Sequence, residues 1–119
     1  MNDLGKLFKA LADPTRVRIL THLAKGDLCV GALAQRLGVT HSAVSQHLRI
    51  LREAGLVDGD KRGYWVHYSL DRKQIGSISA KVAKWLERLS SSPVGKCVDT
   101  RRCPRRGEAA AGKSGTKRR

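Results

Sequence analysis

The sequence predicts a mainly α-helical fold that carries one small β-hairpin, an α+β arrangement. Apolar residues recur at helical spacing through residues 4–51 and again through residues 75–89. Between these stretches, two short segments rich in β-branched and aromatic residues predict a pair of strands. At 119 residues, the chain is long enough for one small domain, with room for a tail.

The first two helices meet at Asp13-Pro14. Asp is a favoured N-cap residue and Pro suits the first helical position, so a second helix is predicted to begin there. Gly26 is the expected end of that helix. The predicted core faces consist of Leu4, Leu7, Phe8 and Leu11 in the first helix and Val17, Ile19, Leu20 and Leu23 in the second.

The next two helices form a predicted helix-turn-helix. The third helix runs from about Cys29 to Leu37, and Gly38 ends it. Thr40 then caps a fourth helix after a tight turn. Two short helices joined by a glycine-containing turn are the helix-turn-helix arrangement, in which the second helix enters a DNA groove.

The fourth helix has two contrasting faces. Val44, Leu48 and Leu51 fall on one face, where they can dock on a small core. The opposite face has short hydrogen-bonding side chains and few acids, which suits a helix that lies against base edges. Its members are Ser42, Ser45, Gln46 and Arg49.

A β-hairpin is predicted after the fourth helix. Its strands are Leu56–Asp60 and Tyr64–Leu70, and residues 60–63 form the turn, with Gly63 at a position of positive φ. A hairpin that follows a helix-turn-helix is a wing, and Lys61 and Arg62 are placed at its tip. The aromatic residues Tyr64, Trp65 and Tyr68 are interpreted as packing residues of the wing rather than as base-stacking platforms.

Asp71 is predicted to cap a last helix that extends to about Leu89. Its apolar residues follow a 3–4–3–4 spacing that suits a partner helix, and they are Ile75, Ile78, Val82, Trp85 and Leu89. The sequence therefore predicts a winged helix-turn-helix domain over residues 1–92. Residues 93–119 form a basic, cysteine-containing tail that we expect to be disordered, since it has almost no large apolar side chain.

The formal net charge of +14 points to a polyanionic partner, with nucleic acid first and an anionic membrane surface second. Residues 1–92 and 93–119 each carry a surplus of seven positive charges, so the predicted domain is basic without its tail. No apolar run approaches the ~20 residues of a membrane span, and the N-terminus shows no secretory signal. Three cysteines do not form a disulfide scaffold, so a reducing cytoplasm is the expected location.

Nine side chains are predicted to contact double-stranded DNA. Ser42, Ser45 and Gln46 are expected to meet base edges or phosphates near the start of the fourth helix. Thr40 and His41 lie at the helix N-terminus, where backbone N–H groups favour a phosphate. Four cationic side chains are expected to neutralise the negative charge of the DNA backbone: Arg49, Arg52, Lys61 and Arg62.

Three segments of the chain carry sequence motifs that are specific enough to indicate a family. They are Phe8–Arg16, Asp27–Val30 and Ser45–Val57. In them the chain resembles the ArsR/SmtB family of bacterial winged-helix repressors, and the resemblance covers about residues 4–89. It implies a homodimer joined by the first and last helices, which binds a palindromic operator and leaves it when an inducer binds. The implied inducers are toxic metals and metalloids and, in some members, oxidants or reactive sulfur.

The resemblance directs attention to the three cysteines. Arsenic- and cadmium-type members often carry Cys-Val-Cys at the start of the third helix, where this chain has Cys29-Val30-Gly31. The family's other common site uses His and carboxylate ligands on the last helix, which here offers one Glu and no His. Cys97 and Cys103 follow that helix among basic residues, which favour the thiolate form that binds soft metals. The candidate ligands for arsenite or another soft metal ion are therefore these two thiols, joined by Cys29.

Two other interpretations of function stay open. In the first, Cys97 and Cys103 form a disulfide or a sulfur bridge, and the repressor responds to oxidants or reactive sulfur. In the second, the chain is a general nucleic-acid-binding architectural protein with similar affinity for any duplex. The sequence has no catalytic set or phosphate loop, and its four histidines lack zinc-finger spacing. We therefore expect no enzyme activity and no cofactor requirement for DNA binding.

Overall fold

The computed structural model describes residues 2–95 and residue 101. The elements in chain order are α1 (Asn2–Leu11), α2 (Pro14–Leu23), β1 (Leu28–Cys29), α3 (Val30–Leu37), α4 (His41–Glu53), β2 (Val57–Arg62), β3 (Trp65–Leu70) and α5 (Arg72–Ser91). This order confirms the predicted α+β class and the winged helix-turn-helix. Helices α3 and α4 form the helix-turn-helix, and strands β2 and β3 form the wing.

The core lies between α2, α3, α4 and the base of the wing. The side chains that are almost completely buried are Ile19, Leu23, Leu33, Val44, Leu48, Leu51 and Val57. Each such burial contributes about 1.5–3 kcal/mol. The prediction that Val17 faces the core is wrong, because its side chain is 46% exposed. At 100° per residue, position 17 lies on the side of α2 opposite Ile19 and Leu23.

The helix-turn-helix has the predicted helix ends. Gly38 ends α3 in the left-handed conformation with φ 71°, and its N–H donates to the carbonyl of Ala34 at 2.9 Å. Thr40 caps α4, where its side-chain oxygen accepts a hydrogen bond from the N–H of Ala43 at 3.0 Å. The turn between the two helices is therefore specified by local backbone chemistry.

The sheet is antiparallel with strand order β1-β3-β2, and it differs from the prediction in two places. Cys29 lies in β1 and precedes α3, because residues 28–29 pair with β3 instead of joining the helix. The wing turn is shorter than predicted, because pairing continues to Arg62 opposite Trp65. Gly63 and Tyr64 alone form the turn, with Gly63 at φ 64°, so Lys61 and Arg62 belong to β2.

Residues paired across antiparallel strands share one face of the sheet. Val57 and Leu70 are paired on the face that packs against the core. The other face carries three directly paired residues in a line: Cys29 on β1, His67 on β3 and Asp60 on β2.

Helix α5 has no buried residue in the single chain. Asp71 caps it as predicted, because a side-chain oxygen accepts from the N–H of Gln74 at 3.0 Å, and the helix ends at Ser91, two residues beyond the predicted end. Its apolar residues line a groove of about 550 Å³ between α1 and α5. The groove residues include Leu7, Phe8 and Leu11 of α1 and Ile75, Ile78 and Val82 of α5. Among the helices described, none combines the length and apolarity needed to cross a membrane.

Replacing Gly55 by Ala is expected to lower the free energy of unfolding by about 1 kcal/mol or more. Gly55 follows α4 at φ +80°, and a Cβ there would lie 3.2 Å from the side chain of Gln74. Gly76→Ala is the matched control, since Gly76 lies within α5 and an added Cβ meets nothing within 4 Å. The control should be neutral or stabilising by up to ~1 kcal/mol in denaturant titration. Equal effects of the two substitutions would contradict this role of Gly55.

Candidate nucleic-acid interface and inducer site

The outward face of α4 collects the predicted DNA-contacting residues of the helix. Thr40, at the cap, and the helical residues His41, Ser42, Ser45, Gln46, Arg49 and Arg52 are all exposed. Val44, Leu48 and Leu51 are buried on the other side of the same helix. The structure therefore brings the seven residues together on one accessible surface, with the helix N-terminus at one end. This surface has the shape and chemistry of a recognition helix.

The positive charge beside this surface is available to a polyanion. Arg49 pairs with Glu53 at 3.5 Å, but both side chains are more than half exposed, so the pair is weak and easily exchanged for a phosphate. Arg52 and Lys61 have no carboxylate within 4.0 Å among the described residues, and both side chains are exposed. These two cations need break no ion pair to reach the DNA backbone.

Arg62, unlike Lys61, forms ion pairs with carboxylates of the same chain. Its guanidinium donates to Asp27 at 2.6 Å and to Asp60 at 3.1 Å. The hydrogen bond to Asp27, together with that to Asp60, raises the pKa of Arg62 above its ordinary value. The charge of Arg62 is thus compensated within the chain, and the contact ties the wing to the loop before β1. Sequence spacing gives no signal for this contact, because Asp27 and Arg62 are 35 residues apart.

Arg16 connects helix α4 to the end of α1, a role that the sequence analysis did not predict. Its guanidinium donates to the carbonyls of Ala10 at 2.6 Å and Lys9 at 3.2 Å, in the last turn of α1. It also contacts Nδ1 of His47 on α4 at 3.2 Å. Since arginine can only donate, Nδ1 is the acceptor in this hydrogen bond. Arg16 thereby joins α1, α2 and α4.

Asp13 holds the start of α2 beside Arg16. One carboxylate oxygen accepts from the backbone N–H of Thr15 at 2.8 Å and of Arg16 at 3.3 Å, which confirms the predicted cap. Partial burial works to raise the pKa of Asp13. The two backbone hydrogen bonds, with the charges of Arg16 and of His47 when it is protonated, outweigh that effect and leave the pKa below its ordinary value.

Cys29 lies in a half-buried position with two imidazoles nearby. It is paired directly with His67, whose Nδ1 is buried and has no hydrogen-bond partner among the described residues. The space beside Gly31 is bordered by the Cys29 sulfur and the His41 ring, since a Cβ on Gly31 would lie 4.0 Å from Sγ and 3.9 Å from Nε2. Within residues 2–95, no group of three His, Cys, Asp or Glu side chains is placed to hold a metal ion. The candidate thiols Cys97 and Cys103 lie outside the described residues.

The interpretation of the wing aromatics as packing residues is wrong for two of the three. Tyr64 is 96% exposed and Trp65 is 61% exposed. The cause is the short turn, which places both rings at the far end of the hairpin from the core. Tyr68, four residues further along, does pack against the core, as interpreted.

The fold is that of a winged helix-turn-helix domain. The sequence pattern of the bacterial regulatory protein arsR family matches residues 13–58. The arsenical resistance operon repressor of Escherichia coli is 47% identical over 78 residues, or 65% of this chain and 66% of that protein. The SmtB-homologue transcriptional repressor of Synechocystis is 42% identical over 85 residues, or 71% of this chain and 64% of that protein. The chain thus spans slightly less than two thirds of these relatives.

A solved structure extends the likeness to the whole domain. The homodimeric winged helix-turn-helix DNA-binding domain of Mb0332 from Mycobacterium bovis is 25% identical with a TM-score of 0.61, and the match covers 81% of this chain and 89% of that one. This chain belongs to the arsR family of bacterial regulatory proteins. Its relatives are transcriptional regulators, which confirms the expectation that it is not an enzyme.

The lowered pKa of Asp13 predicts how Asp13→Asn changes the acid stability. Because the folded pKa lies below the ordinary value of 3.8, the carboxylate contributes stability that is complete well above pH 3.8 and is lost as pH falls through the folded pKa. Asn is an equally good cap. The wild-type protein should therefore be more stable than Asp13→Asn in urea at pH 7, and this difference should shrink below pH 3.8.

Asp13→Ala is the control for capping, since it removes cap and charge together. It should be less stable than Asp13→Asn at every pH. A difference between wild type and Asp13→Asn that stays constant down to the acid transition would contradict the electrostatic contribution of Asp13.

Proposed function

We propose that the protein is a transcriptional repressor that binds a palindromic operator as a homodimer and leaves it when a thiol-binding inducer is present. The observation that supports this most is the capped helix α4, with its apolar stripe buried and its hydrogen-bonding residues outward. Membership of the arsR family supports the same function. A cytoplasmic location goes with the proposal, since bacterial DNA lies in the cytoplasm.

In the proposed complex, α4 lies in the major groove of each half-site. Ser45 and Gln46 contact base edges, while the N-terminus of α4 at Thr40 and His41 faces a phosphate. Arg49, Arg52 and Lys61 neutralise phosphates on either side. Arg62 joins them only if phosphate replaces Asp27 and Asp60. No cofactor takes part in these contacts.

The proposed dimer covers the groove between α1 and α5. Because α5 has no buried residue in the single chain, a second copy is the natural partner for its apolar seam. Phe8 and Trp85, whose ring centroids are 5.6 Å apart, already join the two helices at this face. A twofold axis here would place two α4 helices about one helical turn of DNA apart, roughly 34 Å.

For the inducer, we propose arsenite or another soft metal ion bound by Cys97 and Cys103, with Cys29 as a further ligand. The E. coli relative is named for arsenical resistance. Cys29 precedes α3 directly, and its sulfur borders the same space as His41 at the start of α4. A ligand on Cys29 would therefore press on the N-terminus of the recognition helix. Tenfold release requires the inducer to bind the free dimer about 1.4 kcal/mol more tightly than the DNA-bound dimer.

Thiol oxidation is the second candidate signal, because the same cysteines can form a disulfide or sulfur bridge. The two signals differ in one condition. A metal-type inducer releases DNA with all thiols reduced, whereas an oxidant-type signal requires their oxidation.

The DNA-binding proposal predicts that Gln46→Ala weakens binding to the selected operator about tenfold or more, since a bidentate base contact contributes about 1–3 kcal/mol. Binding to a random duplex should change little. Arg52→Ala is the comparison variant, because loss of a phosphate contact weakens binding to both duplexes and lowers the salt slope by about one. Fluorescence anisotropy at several salt concentrations measures both effects. Equal losses on both duplexes for Gln46→Ala would contradict its role in base readout.

The inducer proposal predicts that arsenite releases the reduced wild-type dimer from its operator and that Cys97→Ser and Cys103→Ser abolish this release. Cys29→Ser should raise the arsenite concentration required. Titrations with cadmium, zinc and an oxidant on the same variants compare the candidate signals. Release that survives deletion of residues 93–119 would exclude the tail thiols as sensor. Release by oxidant alone would favour the second signal.

A further inference from the structure

A second cavity lies on the other side of α1 from the groove between α1 and α5. It measures about 420 Å³ and is bordered by α1, by Arg16 of α2 and by the C-terminal half of α4. Its α1 residues include Lys6 and Lys9, which at 100° per residue face away from the groove residues Phe8 and Leu11. The proposed dimer covers the groove and therefore leaves this cavity open. The volume is within the range of small-molecule pockets.

The floor of the cavity is apolar. Ala10 of α1 and the α4-side residues Ile50 and Ala54 line it. Ala10 is almost completely buried, whereas Ile50 is a large aliphatic side chain that is 39% exposed. A ligand with an apolar body would remove this surface of Ile50 from water, which is favourable.

The rim of the cavity is positively charged. Lys6 and Lys9 are exposed there, and neither has a carboxylate within 4.0 Å among the side chains that the structure describes. Glu53 is the one acid among the described residues of the lining, and it already pairs with Arg49 at 3.5 Å. A negatively charged ligand would therefore meet two ammonium groups whose charge is not compensated. The cavity combines an apolar floor with a cationic rim, which suits an amphipathic anion.

The cavity adjoins the surface of α4 that is predicted to meet DNA. Ile50 lies one turn beyond Gln46 on nearly the same side of the helix. Glu53 lies one turn beyond Arg49 and pairs with it. Negative charge placed in the cavity would therefore lie beside residues of the recognition surface, where it would repel the phosphates of a bound duplex.

We propose that this cavity binds a small organic carboxylate with an apolar body, and that the bound anion lowers the affinity of the protein for DNA. The carboxylate lies at Lys6 and Lys9, and the apolar part packs against Ile50 and Ala54. No thiol takes part, so the site is separate from the proposed inducer site at the cysteines. The binding step is independent of the proposed function, whereas the effect on DNA rests on it. The two affinities are linked, because each ligand lowers the affinity for the other by the same factor.

The test uses the full-length protein and naphthoate as the probe, with the neutral naphthamide as a ligand of nearly the same shape. Wild-type protein should bind naphthoate about fivefold more tightly than naphthamide in titration calorimetry, since the carboxylate alone can pair with the two lysines. Lys6→Gln/Lys9→Gln should remove this difference. The control Lys73→Gln/Lys84→Gln changes the net charge equally at exposed positions of α5 outside the cavity, so it should keep the difference. Ile50→Ala should weaken both ligands about threefold or more, because it removes apolar contact.

Two further measurements complete the test. Backbone amide chemical shifts should change for α1 residues 6–10 and α4 residues 50–54 when naphthoate is added. Saturating naphthoate should lower the affinity for a duplex that the wild-type protein selects from randomised DNA by about threefold or more, and it should have no such effect on Lys6→Gln/Lys9→Gln. Thermal unfolding midpoints equal to wild type confirm that the exposed substitutions leave the fold intact.

The outcomes that contradict the proposal are distinct. Absence of naphthoate binding, equal affinity for naphthoate and naphthamide, or a difference that survives Lys6→Gln/Lys9→Gln would overturn the site. Shifts confined to residues of the groove between α1 and α5 would assign the probe to the dimer interface and would overturn the site as well. An unchanged duplex affinity at saturating naphthoate would overturn the effect on DNA and leave the proposed function intact. A wild-type protein that selects no duplex would overturn the proposed function and leave the site intact.

Discussion

The burial of one stripe of α4 is the constraint on which the rest of the structure depends. Val44, Leu48 and Leu51 are essentially inaccessible to water and pack in the same core as Ile19 and Leu33. Rotating α4 about its axis would expose them, at a cost of about 1.5–3 kcal/mol for each side chain. The hydrogen-bonding residues on the other face therefore point outward for an energetic reason. The recognition surface is a consequence of how the core is packed.

Polar contacts then fix the position of α4 in the domain. Arg16 of α2 donates to two carbonyls at the end of α1 and contacts His47 on α4, so one side chain joins three helices. At the N-terminus of α4, the His41 ring borders the same space beside Gly31 as the Cys29 sulfur. The residue with which we associate the inducer is thus next to the end of the helix that meets DNA. This proximity gives a short physical path between the two proposed binding events.

The features that the sequence predicted are those set by local rules. The caps Asp13, Thr40 and Asp71 and the left-handed Gly38 depend on residues within one turn of the chain, and all four were confirmed. The contacts that were missed join distant positions. Arg62 finds Asp27 across 35 residues and Arg16 finds His47 across 31, and no periodicity reports such pairs. The prediction that Tyr64 and Trp65 are packing residues was wrong because strand pairing continued two residues beyond the predicted end of β2. The roles of Cys97 and Cys103 stay predictions.

The central claim is that two α4 helices, fixed by their buried stripes, enter the major groove of one duplex. Protection of guanine N7 from methylation tests it most directly, because N7 is exposed only in the major groove. The account predicts two protected patches on the selected duplex, about 10 base pairs apart and related by a twofold axis. Protection confined to a single patch, or no protection of N7 in a duplex that the protein binds tightly, would contradict it.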